Sequence, residues 1–319
     1  MKILHLEHTE YHQDSLKSLT DKFDVFFPDF TNREDLLLIL QNDQFDFIFT
    51  KIGMLLDKEM LCTQKKLKAI VTPTTGINHI DNDYCLSKGI KIISLHGEKD
   101  FLSTVSSTAE HAWCLAMNLA RSFKESHKRA ERNSWDRSSL DIVEIRNKTI
   151  GIIGFGRLGK MIANYANAFS ARVIYFDINS EANDSKIRAE FSSLNNLLSN
   201  SDFIFLMANY SKENLNMLST NKLRLMKPTS FFINVSRGEL IDQDCLYLML
   251  KNKKIRGAAL DVLYNDSAWS SNQEVSNNLI ELSKTNHNLI ITPHIGGYAI
   301  DAIHKTRKFI TDKFLGEYK

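Results

Sequence analysis

Three glycines between residues 154 and 159 constrain the fold of this chain more than any other feature. The run Gly154-Phe-Gly156-Arg-Leu-Gly159 has the spacing G-x-G-x-x-G, and it joins an apolar strand candidate at Thr149–Ile153 to an apolar-periodic helix. Gly154 permits a tight turn, Gly156 lets a pyrophosphate approach the backbone, and Gly159 lets the helix pack on the strand. Because the helix N-terminus offers free N–H groups to that pyrophosphate, the motif predicts dinucleotide binding.

A carboxylate follows at the place where such a fold binds the adenosine ribose. Asp177 ends the next strand candidate, 18 residues after Gly159. Ile178, Asn179 and Ser180 come next, so no cation offsets the repulsion between Asp177 and a 2′-phosphate. The pattern therefore predicts NAD rather than NADP, the alternative being that Asp177 is only a turn residue.

Short apolar segments alternate with helical patterns along most of the chain, which predicts parallel sheets joined by helical crossovers. A length of 319 residues favours two domains. The stretch from Leu102 to about Asn133 has no Gly or Pro and shows helical apolar spacing, so we expect one long helix there. The predicted strands are 3–6, 25–27, 47–50, 69–72, 90–94, 149–153, 172–176, 203–207, 231–235, 257–262 and 289–292.

Composition argues against several kinds of partner. The formal net charge is +2, from 40 basic and 38 acidic residues, so no nucleic acid is expected. No apolar run approaches the roughly 18 residues of a membrane span, so no membrane is expected either. The four cysteines lie far apart, which predicts no structural metal site and a reducing, cytoplasmic setting.

Three residues at strand ends have the chemistry for reducing a 2-oxo acid. Arg237 can grip a carboxylate and polarise a ketone, because a guanidinium binds oxygens in pairs. His294 can donate a proton to the ketone oxygen. Asp266 can orient that histidine. Each follows an apolar strand, and ligands bind at the carboxyl edge of parallel sheets.

Further motifs make the chain resemble a known family. They are Gly154–Gly159, Asn234–Gly238, Ala259–Val262, Thr292–Gly297, Thr75–Asp81 and Thr108–Glu110. In order and type they are similar to motifs of the NAD-dependent D-isomer-specific 2-hydroxyacid dehydrogenases. The resemblance implies an oxidoreductase that transfers a hydride between NAD(H) and C2 of a small D-2-hydroxy acid or 2-oxo acid.

The same resemblance implies an α/β fold with two doubly wound parallel-sheet domains. One is a Rossmann cofactor domain and the other a flavodoxin-like substrate domain. Residues 1–98 and 296–319 would form the substrate-binding domain, and residues 99–295 the NAD-binding domain.

The family's residue roles carry over to matching positions of this chain. Arg237 would bind the substrate carboxylate and carbonyl, His294 would be the acid/base, and Asp266 would orient His294. Asp261 would contact the nicotinamide amide, while Gly76 and Ile77 would offer N–H groups to the carboxylate. Cofactor contacts are expected at Gly154, Gly156, Arg157, Leu158, Gly159, Asp177, Thr108, Ala208, Asn209, Asn214, Val235, Ser236, Asp261, Gly296 and Gly297. Substrate contacts are expected at Lys51, Thr75, Gly76, Ile77 and Asn78.

The chain departs from the family pattern at a few places. The family usually has Glu where Asp266 stands, and the side chain of Asp is one methylene shorter. Contact with His294 would then need a closer backbone or a bridging water. Met207-Ala-Asn209 replaces a usual His-x-Pro, and Thr108 replaces a usual Val.

Two other functions remain open from the sequence. One is an NAD-sensing, non-catalytic binding protein on the same fold, and the other is a dehydrogenase of a different class. Lys51 is the one cation in its loop, which favours an unphosphorylated acid. The resemblance also implies a homodimer formed through the predicted long helix, on whose apolar face Trp113 and Leu119 lie. The alternative is that this face serves the core of the chain itself.

Overall fold

The structure is a computed structural model that describes residues 1–30, 32–51, 53–179, 182, 185–266 and 276–318. It divides into a first unit, containing Met1–Val105 and Ala299–Lys319, and a second unit, containing Ser106–Asp266 and Glu274–Tyr298. Each unit is built around a parallel sheet, with five strands in the first and seven in the second. Two parallel-sheet α/β units confirm the predicted fold class.

The strands occupy nearly the predicted positions. They are β1 Lys2–His5, β2 Asp24–Phe26, β3 Phe47–Phe49, β4 Ala69–Val71, β5 Lys91–Ile93, β6 Thr149–Ile153, β7 Arg172–Phe176, β8 Glu190–Phe191, β9 Phe203–Leu206, β10 Phe231–Asn234, β11 Gly257–Leu260 and β12 Leu289–Ile291. The α-helices are α1 Gln13–Thr20, α2 Arg33–Asn42, α3 Lys58–Leu61, α4 Asn82–Lys88, α5 Lys99–Ser103, α6 Ser107–Ala120, α7 Phe123–Glu131, α8 Arg157–Ala168, α9 Leu194–Asn200, α10 Thr220–Leu223, α11 Gln243–Lys251, α12 Asn278–Thr285 and α13 Ile300–Glu317.

The sheet of the first unit has the strand order β2-β1-β3-β4-β5. This is the flavodoxin-like order, which reverses direction between β1 and β3. Every residue of β3 and β4 is buried, because separate apolar clusters pack on the two faces of the sheet. Asn32, Asp57 and Asp81 accept backbone N–H groups at the starts of α2, α3 and α4.

The sheet of the second unit has the order β12-β11-β10-β9-β6-β7-β8. The order reverses between β6 and β9, as in a Rossmann fold, so ligands are expected outside the carboxyl ends of these two strands. The glycine motif directly follows β6. Both residues of β8 are exposed, and no apolar pattern in the sequence predicts this strand.

The prediction of one long helix between Leu102 and Asn133 is wrong, because α5, α6 and α7 occupy that stretch. Ser122 has a left-handed backbone with φ 46°, which ends the helical path after α6. Contacts distant in sequence hold this break: Ser122 Oγ donates to Asp141 O, and Val143 N donates to Ala120 O. Tertiary hydrogen bonds thus end a helix that local sequence alone would continue.

Helix α6 packs into the core of the second unit. Leu119 is fully buried, and Trp113 stacks 5.9 Å from Phe205 of β9. Of the two residues on the apolar face that suggested a dimer contact, Leu119 is therefore covered within the chain and Trp113 is partly covered. Among the described residues, no helix is long and apolar enough to cross a membrane.

Candidate functional site

Gly154 and Gly159 pack as their spacing in the motif predicts. A Cβ on Gly154, where φ is 94°, would lie 2.7 Å from the backbone nitrogen of Ala208. A Cβ on Gly159 would lie 2.2 Å from Gly154 O, so α8 packs directly against the turn. A Cβ on Gly156 would meet nothing within 4 Å. Two glycines are thus demanded by packing, while the open side of Gly156 fits a pyrophosphate at the start of α8.

Asp177 lies beside this turn. Its Oδ2 accepts from Phe155 N at 2.6 Å, and its Oδ1 accepts from Asn179 N at 2.9 Å. The carboxylate is half-buried and keeps lone pairs for further donors. A dinucleotide bound to the glycine turn would bring its ribose hydroxyls to this carboxylate, so the residues present fit NAD.

Two further segments belong to the candidate cofactor site: the start of α8 and the loop after β9. Arg157 and Leu158 are half-buried at the start of α8, and burial lowers the pKa of Arg157 below its ordinary value. In the loop after β9, Asn214 Nδ2 donates to Asn209 O at 2.7 Å and fixes the loop's shape. Ala208 in this loop is the residue against which Gly154 packs.

Arg237 is presented by a loop that Asn234 organises. Asn234 is fully buried at the end of β10, where it accepts from Ser236 N at 2.9 Å and donates to Arg237 O at 3.1 Å. Ser236 Oγ donates to Leu206 O of the neighbouring strand. Val235, which stands between Asn234 and Ser236 in the chain, is buried. The Arg237 side chain is half-buried, and its Nη1 donates to Ser236 O.

Asp261 is a buried carboxylate at the end of β11, only 2% exposed. It accepts from Thr292 Oγ1 at 2.6 Å, from Ile295 N at 2.9 Å and from Gly296 N at 2.7 Å. His111 Nε2 lies 3.2 Å from the same carboxylate. Burial by itself raises the pKa of Asp261, but these hydrogen bonds, with that from His111 the largest, outweigh burial and hold the pKa below its usual range.

His294 lies in the loop that Asp261 holds. Its backbone is left-handed, with φ 55°, and its N–H donates to Asp261 O at 2.9 Å. Its Nδ1 lies 3.0 Å from Asp266 Oδ2. The imidazole is 42% exposed, whereas the Asp266 side chain is only 9% exposed. The ring therefore turns Nδ1 toward a buried carboxylate and leaves Nε2 on the side away from it.

The contact between Asp266 and His294 is direct, so the shorter side chain reaches its partner without a bridging water. The loop of Asp266 packs closely on the loop of Arg237, since a Cβ on Gly238 would lie 2.1 Å from the carbonyl carbon of Leu263. Glu239 Oε1 also accepts from Asn265 N at 3.0 Å. The three predicted catalytic residues thus lie on neighbouring loops at the carboxyl edge of one sheet.

The start of α6 contacts the loop after His294. Ser107 Oγ donates to Gly296 O at 2.7 Å, and a Cβ on Gly296 would lie 2.9 Å from Asp261 Oδ2 and 3.3 Å from Thr108 Cγ2. A Cβ on Gly297 would come within 4.0 Å of Thr108 Oγ1. Glycine is required at position 296 because any side chain there would displace Asp261.

The predicted substrate contacts belong to the first unit. Lys51 follows β3, is exposed and lies 5.4 Å from the centre of the Phe30 ring. Thr75, Gly76, Ile77 and Asn78 form the loop after β4, where Thr74 Oγ1 donates to Gly76 O at 2.6 Å.

Four residues that shape these loops have no role predicted from the sequence. Asn234, Thr292 and His79 belong to the motifs without a role of their own, and His111 lies outside every motif. Their partners are distant in sequence or lie across a loop, so no local spacing signals them. Thr292 and Asn234 directly follow or end apolar strands, and this position was the one available signal.

Residues 113–296 match the family model for the NAD-binding domain of D-isomer specific 2-hydroxyacid dehydrogenases. The match covers more than half of the chain and includes the glycine turn, Asp177, Arg237, Asp266 and His294. The chain belongs to this family of oxidoreductases, and the cofactor of its second unit is NAD.

Individual relatives extend the similarity over most of the chain. Glyoxylate reductase of Pyrococcus furiosus is 31% identical over 265 residues, covering 81% of this chain and 74% of that protein. D-3-phosphoglycerate dehydrogenase of Mycobacterium leprae is 28% identical over 291 residues, covering 91% of this chain and 52% of that protein. The structure of D-lactate dehydrogenase from Aquifex aeolicus, complexed with NAD and lactic acid, has a TM-score of 0.82 and 25% identity, covering 99% of this chain and 95% of the other.

Proposed function

We propose that this chain catalyses hydride transfer between NAD(H) and C2 of a small D-2-hydroxy acid or 2-oxo acid. One observation carries the proposal: His294 Nδ1 lies 3.0 Å from the buried Asp266 carboxylate, on the sheet edge that also presents Arg237. A histidine held in this way is poised for proton transfer through Nε2. A protein that only sensed NAD would have no need of this pair.

The second unit holds the cofactor. NADH supplies the hydride for reduction, and NAD accepts it in the reverse direction. The glycine turn and the start of α8 bind the pyrophosphate, while Asp177 accepts hydrogen bonds from the ribose hydroxyls. Because the Asp177 carboxylate repels a 2′-phosphate, we expect NAD rather than NADP to be the cofactor that is used.

Arg237 binds the substrate acid. The hydrogen bond to Ser236 O takes one of the five N–H groups of the Arg237 guanidinium, which leaves others for the substrate carboxylate and carbonyl. In the first unit, Gly76 and Ile77 offer backbone N–H groups to a substrate carboxylate. Lys51 adds one positive charge, and we therefore expect an unphosphorylated acid.

His294 completes the reaction. Nε2 would give its proton to the carbonyl oxygen, which together with the hydride that bound NADH would supply to C2 converts the ketone to the alcohol. Asp266 keeps Nδ1–H in place and stabilises the positive charge on the ring before transfer. In the oxidative direction, Nε2 takes the proton back from the hydroxyl.

We further propose that the chain forms a homodimer. Leu119 is buried within the chain, so it does not serve as the contact, and Trp113 is partly buried against the same core. Trp135 is 94% exposed and Phe123 is 56% exposed, and both lie on or next to α7. Large exposed aromatic side chains are typical of protein interfaces.

A substrate panel tests the proposed activity. Purified protein would be given NADH with glyoxylate, pyruvate and a phosphorylated 2-oxo acid, beside His294→Ala as the matched control. We expect oxidation of NADH with an unphosphorylated acid, and a loss of about 10²-fold or more in the variant. Tight NADH binding without reduction of any 2-oxo acid would instead favour an NAD-sensing protein.

A further inference from the structure

A relay of hydrogen bonds runs through the loop after β4 and ends at a histidine that the proposed mechanism does not use. Thr74 Oγ1 donates to Gly76 O at 2.6 Å. Thr72 Oγ1 lies 2.9 Å from Thr74 Oγ1, and His79 Nε2 lies 3.0 Å from Thr72 Oγ1. Thr72 is 0% exposed, so water does not compete for its hydroxyl.

The direction of every bond in this relay follows from the proton count. A hydroxyl has one proton, and Thr74 gives its proton to Gly76 O, which can only accept. Thr74 therefore accepts from Thr72, whose single proton is then used as well. Thr72 must accept from His79, so Nε2 of His79 carries a proton. Both the neutral Nε2–H tautomer and the imidazolium meet this requirement.

Backbone hydrogen bonds anchor the relay at both ends. Thr72 N donates to Ile93 O at 2.9 Å, and Leu95 N donates to Thr74 O at 2.9 Å. Leu56 N donates to His79 O at 2.8 Å. Because its donor and acceptor residues are fixed to neighbouring segments, the relay can hold the loop between them in one conformation.

The group that the relay holds is the peptide between Gly76 and Ile77. A trans peptide is planar, and its C=O and N–H point in opposite directions. Pinning Gly76 O toward the Thr74 hydroxyl therefore points the Ile77 N–H away from the relay. Within the described part of the chain, the Ile77 N–H donates no hydrogen bond to another backbone or side-chain acceptor.

We propose that His79 is a positioning residue for substrate binding: acting through Thr72 and Thr74, it holds the Gly76–Ile77 peptide so that the Ile77 N–H receives the substrate carboxylate. This inference rests on the proposed function, in which that N–H binds a 2-oxo acid. His79 itself does not touch the substrate. Its contribution is to substrate affinity, since an N–H that is already oriented need not be ordered on binding.

Pairs of variants separate the relay from general packing. Thr74→Val and His79→Leu each remove a link, whereas Thr74→Ser and His79→Gln each keep a donor of similar reach. We expect the first two to raise KM for the 2-oxo acid by about tenfold, as for loss of one hydrogen bond, with kcat changed much less. The Ser and Gln variants should stay close to the parent. The Kd for NADH should be the same in all, because the second unit holds the cofactor, and circular dichroism shows whether the first unit of each variant is folded.

A double variant gives the sharpest result. If both residues act through the same relay, removing a second link has no additional effect. The double variant Thr74→Val/His79→Leu should therefore have the KM of Thr74→Val alone. A double variant whose KM equals the product of the two single effects would show independent roles and overturn the relay. A parent-like KM in His79→Leu would overturn the inference while leaving the proposed function intact.

Nitrogen NMR of labelled histidine provides a readout that does not depend on turnover. In the parent protein, Nε2 of His79 should carry a proton, and Thr72→Val should change the signal of this nitrogen. An unprotonated Nε2 at neutral pH in an active parent would contradict the direction of the relay. A parent that reduces no 2-oxo acid would remove the proposed function and, with it, the substrate role of His79.

Discussion

The backbone of His294 is strained. A left-handed φ of 55° in a residue with a side chain costs about 1–2 kcal/mol. Asp261 offsets this cost from both sides of the residue, because its carbonyl accepts from His294 N and its carboxylate accepts from Ile295 N and Gly296 N. Backbone strain that these hydrogen bonds maintain at one residue indicates that the direction of its side chain matters for function.

The carboxylate of Asp266 provides the first prediction at this scale. Asp266→Asn should lower the reductive kcat by about tenfold or more, because a neutral amide no longer stabilises charge on the His294 ring. NADH affinity should not change. Stopped-flow rates with NADH and the best 2-oxo acid measure the effect.

Asp266→Glu serves as the matched variant. Aspartate already contacts Nδ1 directly at 3.0 Å, so the extra methylene should displace the ring, and activity should fall between the parent and Asp266→Asn. If Asp266→Asn retains the parent rate, Asp266 has no role in catalysis.

Asp177 provides the second prediction. Asp177→Asn removes the charge but keeps an oxygen that can accept from Phe155 N. We expect NADPH to bind about tenfold more tightly than in the parent, because the repulsion of its 2′-phosphate is lost. NADH should bind slightly more weakly. Fluorescence titration of both nucleotides measures this, and equal NADH and NADPH affinities in the parent would contradict the role of Asp177.

At the scale of elements, β1 ends in a histidine that is neutral in the folded protein at neutral pH. His5 is 0% exposed, stacks 4.8 Å from Phe49 and has no hydrogen-bond partner for either ring nitrogen within the described residues. Burial, with a smaller effect of His8, lowers the pKa of His5 from 6.5 to about 3. Glu7, in the segment after β1, forms an ion pair with Arg307 of α13.

This burial predicts acid sensitivity of the first unit. The unfolded chain takes up a proton on His5 below about pH 6.5, whereas the folded chain does not until about pH 3, so stability falls as the pH drops through this window. Between pH 7 and pH 5 this group should cost roughly 2 kcal/mol, at about 1.4 kcal/mol per pKa unit. Denaturant unfolding at the two pH values, followed by circular dichroism, measures the loss.

His5→Leu should remove most of this pH dependence, because leucine has no proton to take up. His96→Leu is the control, since His96 is an exposed histidine of the same unit. An unchanged slope in His5→Leu, or an equal change in His96→Leu, would show that another group is responsible.

The strands were predictable to within a residue or two because apolar runs buried on both faces leave a plain signal. The ends of helices were not predictable, as α5, α6 and α7 show. The chain there has helix-forming residues throughout, and Ser122 ends α6 through bonds to a segment about 20 residues away. β8 was missed since it is two exposed residues at the edge of a sheet.

The candidate site was predictable in part for a similar reason. Strand ends located Arg237, Asp261 and His294, because parallel strands bring their carboxyl ends together. The groups that fix them, such as His111 on Asp261, reach over from other elements, and a single sequence does not record those contacts. The direct contact between Asp266 and His294 depends on close packing at Gly238. Local sequence patterns do not predict that packing either.

At the scale of the whole molecule, the proposed homodimer has a residue that can test it. Trp135 exposes 94% of its surface, and Arg129 holds the segment beyond it through hydrogen bonds to Asp136 O and Ser138 O. An ordered and exposed indole buries a large apolar area when a second copy covers it, and tryptophan is enriched among residues that dominate interface energies. We expect a two-fold dimer whose interface buries more than about 2,000 Å².

Light scattering at micromolar concentration should therefore give twice the mass of the chain. Trp135→Ser should weaken the dimer by at least about tenfold and yield monomer at the same concentration. Leu86→Ser is the control, because Leu86 is 70% exposed in the first unit and its loss should leave the dimer intact. A monomeric parent would contradict the dimer itself, whereas a Trp135→Ser protein that remains dimeric would place the interface on another surface of the chain.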